Sequence, residues 1–292
     1  MHALLQTLLA RRPVVTDGAW GTELQKLGLA AGQHPDLWNL SHPDRVEEVA
    51  ARYVEAGSDV ILTNTFRSNR IALGSHAVDA DIAALNARGV EISRRAAGGR
   101  ARVFASIGPG GKMLMTGEVT EEELTAAFTE QCHALAEAGA DALLIETMAD
   151  LDEMRIAVEA ARTTGLPVIA SMVFDSGKEK DRTMMGATPE QVAAALTEAG
   201  ADVIGANCGL GIEGYIPVCR RLRKATGLPL WIKPNAGMPE MVDGRITYRT
   251  TPEEFAAGAQ ELRKAGADFI GGCCGTTPAF LRAVAAALRA EH

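Results

Sequence analysis

Nowhere does this chain of 292 residues hold an apolar run near the roughly 18 residues that a bilayer crossing requires. Its opening, MHALLQTLLARRP, sets the arginines after the apolar stretch, where a secretory signal sets them before. Both absences point to a cytoplasmic protein. A basic excess is missing too: the formal net charge is −8, and a phosphate backbone or an anionic membrane surface would want a dense basic face. Neither nucleic acid nor membrane is expected as the main partner, which leaves small molecules. Low-complexity segments and long charge runs are also lacking. The five cysteines (Cys132, Cys208, Cys219, Cys273, Cys274) are odd in number and irregular in spacing, so a secreted disulfide framework is not supported.

What is present is a globular composition, 47% hydrophobic and 23% charged, on a chain long enough for two ordinary domains or one large α/β barrel. One phrase recurs four times: AGSDVILTN from 56, AGADALLIE from 138, AGADVIGAN from 199 and AGADFIGGC from 265. Each follows an alanine-rich stretch of helical periodicity, so its glycine reads as a left-handed helix C-cap and the apolar run after it as a buried strand. Between them lie further strand candidates at 13–18, 102–109, 166–173 and 228–235. Helices are expected at 43–56, 79–97, 120–138, 150–164, 189–199, 213–225, 252–265 and 278–290. Their expected caps are Ser41, Thr120 with Glu123, Thr188-Pro189, Thr251-Pro252 and Thr277-Pro278. Eight strands alternating with eight helices spell a single (β/α)8 TIM barrel over residues 1–292, with a doubly wound open sheet as the alternative.

In such a barrel the chemistry gathers where the strands end. The strand ends carry Asp17-Gly18, Thr63-Asn64-Thr65, Gly108 to Gly111, Glu146-Thr147, Met172 and Asp175, Asn207-Cys208-Gly209, Pro234 to Gly237, and Gly272-Cys273-Cys274-Gly275. The sixth and eighth strands stand two apart, about 10 Å at their usual spacing, and alternate strands share an interior layer. Cys208 can thus meet the Cys273-Cys274 pair, provided that Gly271, Gly272 and Gly275 let two consecutive thiols turn inward. Three convergent thiolates suit zinc with one coordination position open. Such an anionic site is a weak acid toward water but can hold an incoming thiol as thiolate, for attack on an electrophilic carbon. A lone cysteine would more simply be a buried small hydrophobe, as expected for Cys132 and Cys219 in helical segments, and a vicinal disulfide is a second alternative. The histidines His2, His34, His42, His76, His133 and His292 fall away from strand ends, against a histidine-dominated zinc hydrolase.

The segments DGAWGTELQKLG (17–28), ILTNTF (61–66), LLIETM (143–148), GANCG (205–209), PNAG (234–237) and GGCCGTTP (271–278) resemble the homocysteine S-methyltransferase family. That resemblance, from about residue 13 to 290, implies a (β/α)8 barrel with zinc (Zn2+) on Cys208, Cys273 and Cys274, homocysteine as acceptor and methionine as product. It places Asp17 and Glu146 near the substrate ammonium, with Gly18 and Asn235 as further substrate-binding positions. Departures bear on the donor. Trp20 stands where the family usually carries a smaller side chain, and Thr147 where betaine-using animal enzymes carry an aromatic. PNAGMPE is closer to the corrinoid-dependent module, yet no Asp-x-His-x-x-Gly motif occurs, so a corrinoid would arrive on a separate protein. The donor is otherwise a small sulfonium or ammonium compound.

Two rival functions stay open. Gly209-Leu210-Gly211-Ile212-Glu213-Gly214 is a formal G-x-G-x-x-G between a strand and a helix, the pattern of an NAD-dependent oxidoreductase, though the next strand lacks the acidic residue that would hold a ribose. The N–H groups of this loop would otherwise help to bind the substrate carboxylate. The chain could also be a non-catalytic zinc-holding partner of a corrinoid system. Loop 29–40, with Leu37 and Trp38 expected to be exposed, reads as a lid or an interface.

Overall fold

The computed structural model describes residues 1–30, 32–74, 81–242 and 245–290. The strands are β1 (Val14–Val15), β2 (Val60–Leu62), β3 (Arg102–Ile107), β4 (Ala142–Met148), β5 (Val168–Met172), β6 (Val203–Gly211), β7 (Leu230–Asn235), β8 (Glu240–Val242), β9 (Arg245–Thr247) and β10 (Phe269–Ile270). Eight of them form one parallel sheet in the order β1-β10-β7-β6-β5-β4-β3-β2. A parallel bridge from Thr16 to Val60 brings its two edges together, which makes the sheet a nearly closed (β/α)8 TIM barrel. The remaining two, β8 and β9, make an antiparallel hairpin after β7 that the strand pattern did not announce.

Strand parity sorts the side chains, because neighbours along a strand point to opposite faces. Val14, Val60, Leu62, Phe104, Ala142, Leu144, Ile169, Val203, Trp231 and Phe269 form one buried cluster inside the barrel, while Val15, Ile61, Val103, Leu143, Ile145, Ile204, Ile232 and Ile270 pack outward under the helices. Leu5 joins the inner cluster, so the helix Ala3–Leu9, which the sequence pattern left unassigned, plugs the end of the barrel where the strands begin. The apolar layer therefore occupies the N-terminal half of the interior. Two or four residues further along the same inward parity come Ser106, Glu146, Ser171, Asn207, Lys233 and Asn235, all buried: the upper half of the interior is polar.

The recurring phrase has a structural cause. Gly57, Gly139, Gly200 and Gly266 all take positive φ, as a left-handed helix C-cap demands. The aspartate two residues later latches the strand before it. Asp59, Asp141, Asp202 and Asp268 donate their N–H to the carbonyls of Val15, Val103, Val168 and Leu230, and their carboxylates accept from the N–H of the same four residues at 2.8–3.0 Å. Each latch joins an odd barrel strand to the next even one, so the barrel is four copies of one joint.

The helices Pro43–Glu55, Ile82–Ala97, Glu121–Glu137, Leu151–Arg162, Pro189–Ala199, Ile212–Ala225, Pro252–Lys264 and Pro278–Arg289 match the expected eight. Residues 79 and 80 of the second lie outside the described residues. Thr120, Thr188 and Thr251 make full capping boxes and Thr277 caps through its side chain. Ser41 does not cap. It ends a short helix, Trp38–Ser41, its hydroxyl bonds back to Leu37, and His42 precedes Pro43 without a side-chain cap. The expected exposure of Trp38 is likewise corrected: the indole is buried under the Arg45 guanidinium, and Leu40 is the exposed apolar residue of that segment. Among the described residues no helix is long and apolar enough to cross a membrane.

Asp202→Ala removes the acceptor of the buried Val168 N–H at the strand start, far along β6 from Cys208. It is expected to lower stability to urea unfolding by about 1–3 kcal/mol while leaving cation binding by the thiols unchanged.

Candidate active site

Cys208 lies on β6 and takes φ +61°, a conformation that a side-chain-bearing residue enters only at a cost. The register between β6 and β7 breaks there, between Asn207 and Gly211. Cys273 and Cys274 follow β10 and are tied to the end of β7: Cys273 N–H donates to Pro234 C=O at 2.7 Å and Ala236 N–H to Cys274 C=O at 2.9 Å. Gly275 then turns left-handed, φ +82°, and a Cβ there would run into the Tyr248 ring. Gly271 and Gly272 act differently from expectation. Neither has positive φ; they are small because a Cβ would strike Thr16 and Asp17 in one case and Thr276 in the other.

The result is three sulfurs all within 4.8 Å of one another, Cys208 and Cys274 being 4.0 Å apart. Sulfurs about 2.3 Å from one tetrahedral ion would stand about 3.8 Å apart, so the set fits such an ion with little adjustment. Electrostatics point the same way. Contact with Cys273 pulls the Cys208 thiol down, but contact with Cys274 and burial overcome this and push it up to about 12. For Cys274 the contact with Cys208 likewise lowers and that with Cys273 raises, the balance again lying at about 12. Cys273 is pushed up by its contact with Cys208 and by burial. Crowded, desolvated thiols of this kind become thiolates only against a positive charge. The Asn235 carboxamide, between the two backbone ties, is buried with no hydrogen-bond partner for its Oδ1 among the described residues, an oxygen that calls for a donor or a cation.

Beside the sulfurs stand the carboxylates. Glu146 accepts from Ser106 Oγ at 2.6 Å on one oxygen; among the described residues the other has only Asn207 Nδ2, at 3.5 Å. Burial raises its pKa, against the lowering pull of Lys233 and Ser106. Asp17 is fully buried, with Oδ1 2.5 Å from Lys233 Nζ and Oδ2 accepting from Trp20 Nε1 at 2.8 Å and Leu62 N–H at 2.7 Å. Trp20 therefore holds this carboxylate. A Cβ on Gly18 would lie 2.8–2.9 Å from Thr276, Tyr53 and Leu281, so this residue is set by packing.

Asn207 knits the two groups together. Its side chain accepts from Thr147 N–H at 2.9 Å and Ser171 Oγ at 2.7 Å and donates to Thr147 Oγ1 at 2.7 Å; its carbonyl accepts from Tyr215 OH at 2.9 Å. Thr147, like Cys208, has positive φ, 64°. One asparagine thus spans the strained positions that follow Glu146 and carry Cys208. Pattern reading missed Lys233, Asn207 as a clamp and Tyr248, whose hydroxyl is pushed up to about 12 by burial and the nearby sulfurs. Lys233 was findable, since it shares the inward parity of Asn235, and Asn207 stood among the strand-end residues without this role attached; nothing local announced Tyr248.

The glycines of the G-x-G-x-x-G are consumed by packing. A Cβ at Gly209 would meet Val173 and Asp175, at Gly211 the Gly237 backbone, and at Gly214 Leu210, so they open no cradle for a pyrophosphate. Cys132 and Cys219 are buried in helices, as expected of core residues.

Residues 14–288 match the model of a family described as homocysteine S-methyltransferase. The chain is 34% identical to a methionine synthase of Mycobacterium leprae over 304 residues, and 34% identical to that of Mycobacterium tuberculosis over 306. These alignments cover 98% and 97% of this chain but 25% of each relative, so the chain spans about a quarter of their length. Among solved structures, the homocysteine methyltransferase MmuM of Escherichia coli in its metallated form superposes with a TM-score of 0.80 at 26% identity, over 97% of this chain and 99% of that one. Its oxidized form gives 0.79 at 26% identity over the full length of both.

Asn207→Ala leaves the Thr147 N–H and the Ser171 hydroxyl without their acceptor and frees both strained residues. About 2 kcal/mol of stability in chemical unfolding and about 10–100-fold in cation affinity, read by competition with a chelator, are the expected losses.

Proposed function

The chain belongs to the homocysteine S-methyltransferase family, and from that membership we propose that it methylates the thiol of L-homocysteine to methionine, with zinc on Cys208, Cys273 and Cys274. The observation that carries this is the convergence of three sulfurs at the strand ends, beside a buried carboxylate with an oxygen to spare. When bound, zinc would lower the pKa of an acceptor thiol so that it is a thiolate near neutral pH.

The chain's own residues do the rest. Glu146, with Asp17 behind it, makes an acidic end for the substrate ammonium, and the N–H groups at the start of Ile212–Ala225, which follows β6 directly, would take its carboxylate. Held at both ends, the thiol would be presented to the methyl donor. Sulfur donates an electron pair to the methyl carbon, the bond from that carbon to the donor heteroatom breaks, and the donor leaves with the pair; a positively charged donor leaves neutral. A sulfonium, a betaine-type ammonium or a methyl-corrinoid on a separate protein meets this requirement. We take residues 1–292 as one homocysteine-binding unit, and three unpaired thiols that must stay reduced fit the cytoplasm.

A second arrangement, a zinc-holding subunit that works only beside a corrinoid protein, is favoured by one fact: relatives named methionine synthase are about four times longer. Methionine formation from homocysteine with S-methylmethionine, S-adenosylmethionine, betaine, dimethylsulfoniopropionate or methylcobalamin separates the two. Turnover by the isolated chain with any of them is the expected result. Cys208→Ser is expected to lose bound zinc and to fall by more than the about 10–100-fold typical of groups behind a ligand. Full activity in a zinc-free Cys208→Ser protein would overturn the assignment.

A further inference from the structure

Lys233 is a buried lysine. It sits on β7 two residues beyond Trp231, points into the barrel and is 2% exposed, with its ammonium 5.7 Å from the Trp231 ring centre. A charge so placed persists only with a partner. Burial would drive its proton off, but Asp17 and Glu146 more than reverse that, so it is held as the ammonium. Among the described residues its ion pair is with Asp17, at 2.5 Å. Together with Trp20 Nε1 and the Leu62 N–H this gives Asp17 three donors and no exposed surface. Glu146 is the contrast: one oxygen carries the Ser106 bond and the other has a single long contact.

We propose that Lys233 determines how the acceptor is recognised, by occupying Asp17 with an internal ammonium and leaving Glu146 as the one carboxylate that receives the amino group of the substrate. This rests on the reading of the site as a receptor for an amino-acid thiol. The charge count is balanced under it: Asp17 and Lys233 cancel, and Glu146 matches one incoming cation. Two free carboxylates at the same end would repel one another and favour a more highly charged guest. Lys233 is a positioning residue in this scheme; it touches no substrate atom.

The test is a binding comparison on zinc-loaded protein under reductant, by calorimetry without any methyl donor. L-homocysteine is set against 4-mercaptobutyrate, the same thiol and carboxylate without the amino group. Wild type is expected to prefer homocysteine by at least about tenfold, the value of a charge-assisted hydrogen bond in a buried site. Glu146→Gln is expected to bring the two ligands within about twofold of each other. Lys233→Met releases Asp17 and is expected to raise the preference by about tenfold, and adding Asp17→Asn to it restores the wild-type ratio. The neutral Lys233→Met/Asp17→Asn pair leaves no lone buried charge and so keeps the test available should the single variant fail to fold.

Loss of the preference in that pair, as complete as in Glu146→Gln, would show Asp17 itself reading the ammonium and overturn the proposal. So would an unchanged ratio in folded Lys233→Met, the signature of a lysine that only stabilises. A protein that prefers homocysteine through Glu146 but transfers no methyl group sinks the methyl-transfer reading alone. Methyl transfer with an undiminished preference in Glu146→Gln sinks the Lys233 assignment alone.

Discussion

Three thiols within 4.8 Å of one another, largely removed from water, are the constraint on which the rest of this molecule turns. Such a group is uncomfortable in isolation, since each sulfur resists ionising beside the others. Assembling it also costs backbone strain: Cys208 must leave the ladder of β6 in a left-handed conformation, and the chain after β10 must reverse at Gly275. Hydrogen bonds from the end of β7 on either side of Asn235, and the Asn207 clamp on the far side, hold the strained segments in place.

The scaffold that tolerates this strain is built at the opposite end of the barrel. Four aspartate latches join strands in pairs where they begin, and an apolar interior layer closed by the helix Ala3–Leu9 fills the space beneath. Strand starts are thereby over-determined, and strand ends are free to be polar, bent and irregular. The same division explains the inward parity: Phe104, Leu144, Ile169 and Trp231 lie below Ser106, Glu146, Ser171 and Lys233 on the same strands. Charge in the upper layer is settled internally, Lys233 with Asp17, which keeps a buried acidic pocket from repelling itself.

Much of this was legible in the residues. Helix and strand periods and the capping threonines gave every barrel helix, and the spacing of Cys208 and Cys273-Cys274 on alternate strands brought the sulfurs together on paper as they stand in the fold. The misses share a cause. Ser41 has the chemistry of a cap but follows a short helix that already uses its hydroxyl; Trp38 stands in a polar loop but folds beneath Arg45. Gly271 and Gly272 looked like sources of backbone freedom and are instead places where a neighbour comes too close for a side chain, the segment after β1 in one case and Thr276 in the other. In each case the deciding neighbour is a contact that no helix or strand period announces.

By itself, then, the sequence determined the alternation of strands and helices, their caps, the four repeated joints and the set of residues that could reach the rim, because all of these follow from local periodicity and the handedness of the backbone. Only the tertiary structure decided which rim residues are spoken for. Asp17 and Lys233 are 216 positions apart and carry no pattern that pairs them. A carboxylate is available to a substrate or committed to a partner according to what lies within about 3 Å of its oxygens. That is a property of the closed barrel and not of any segment within it.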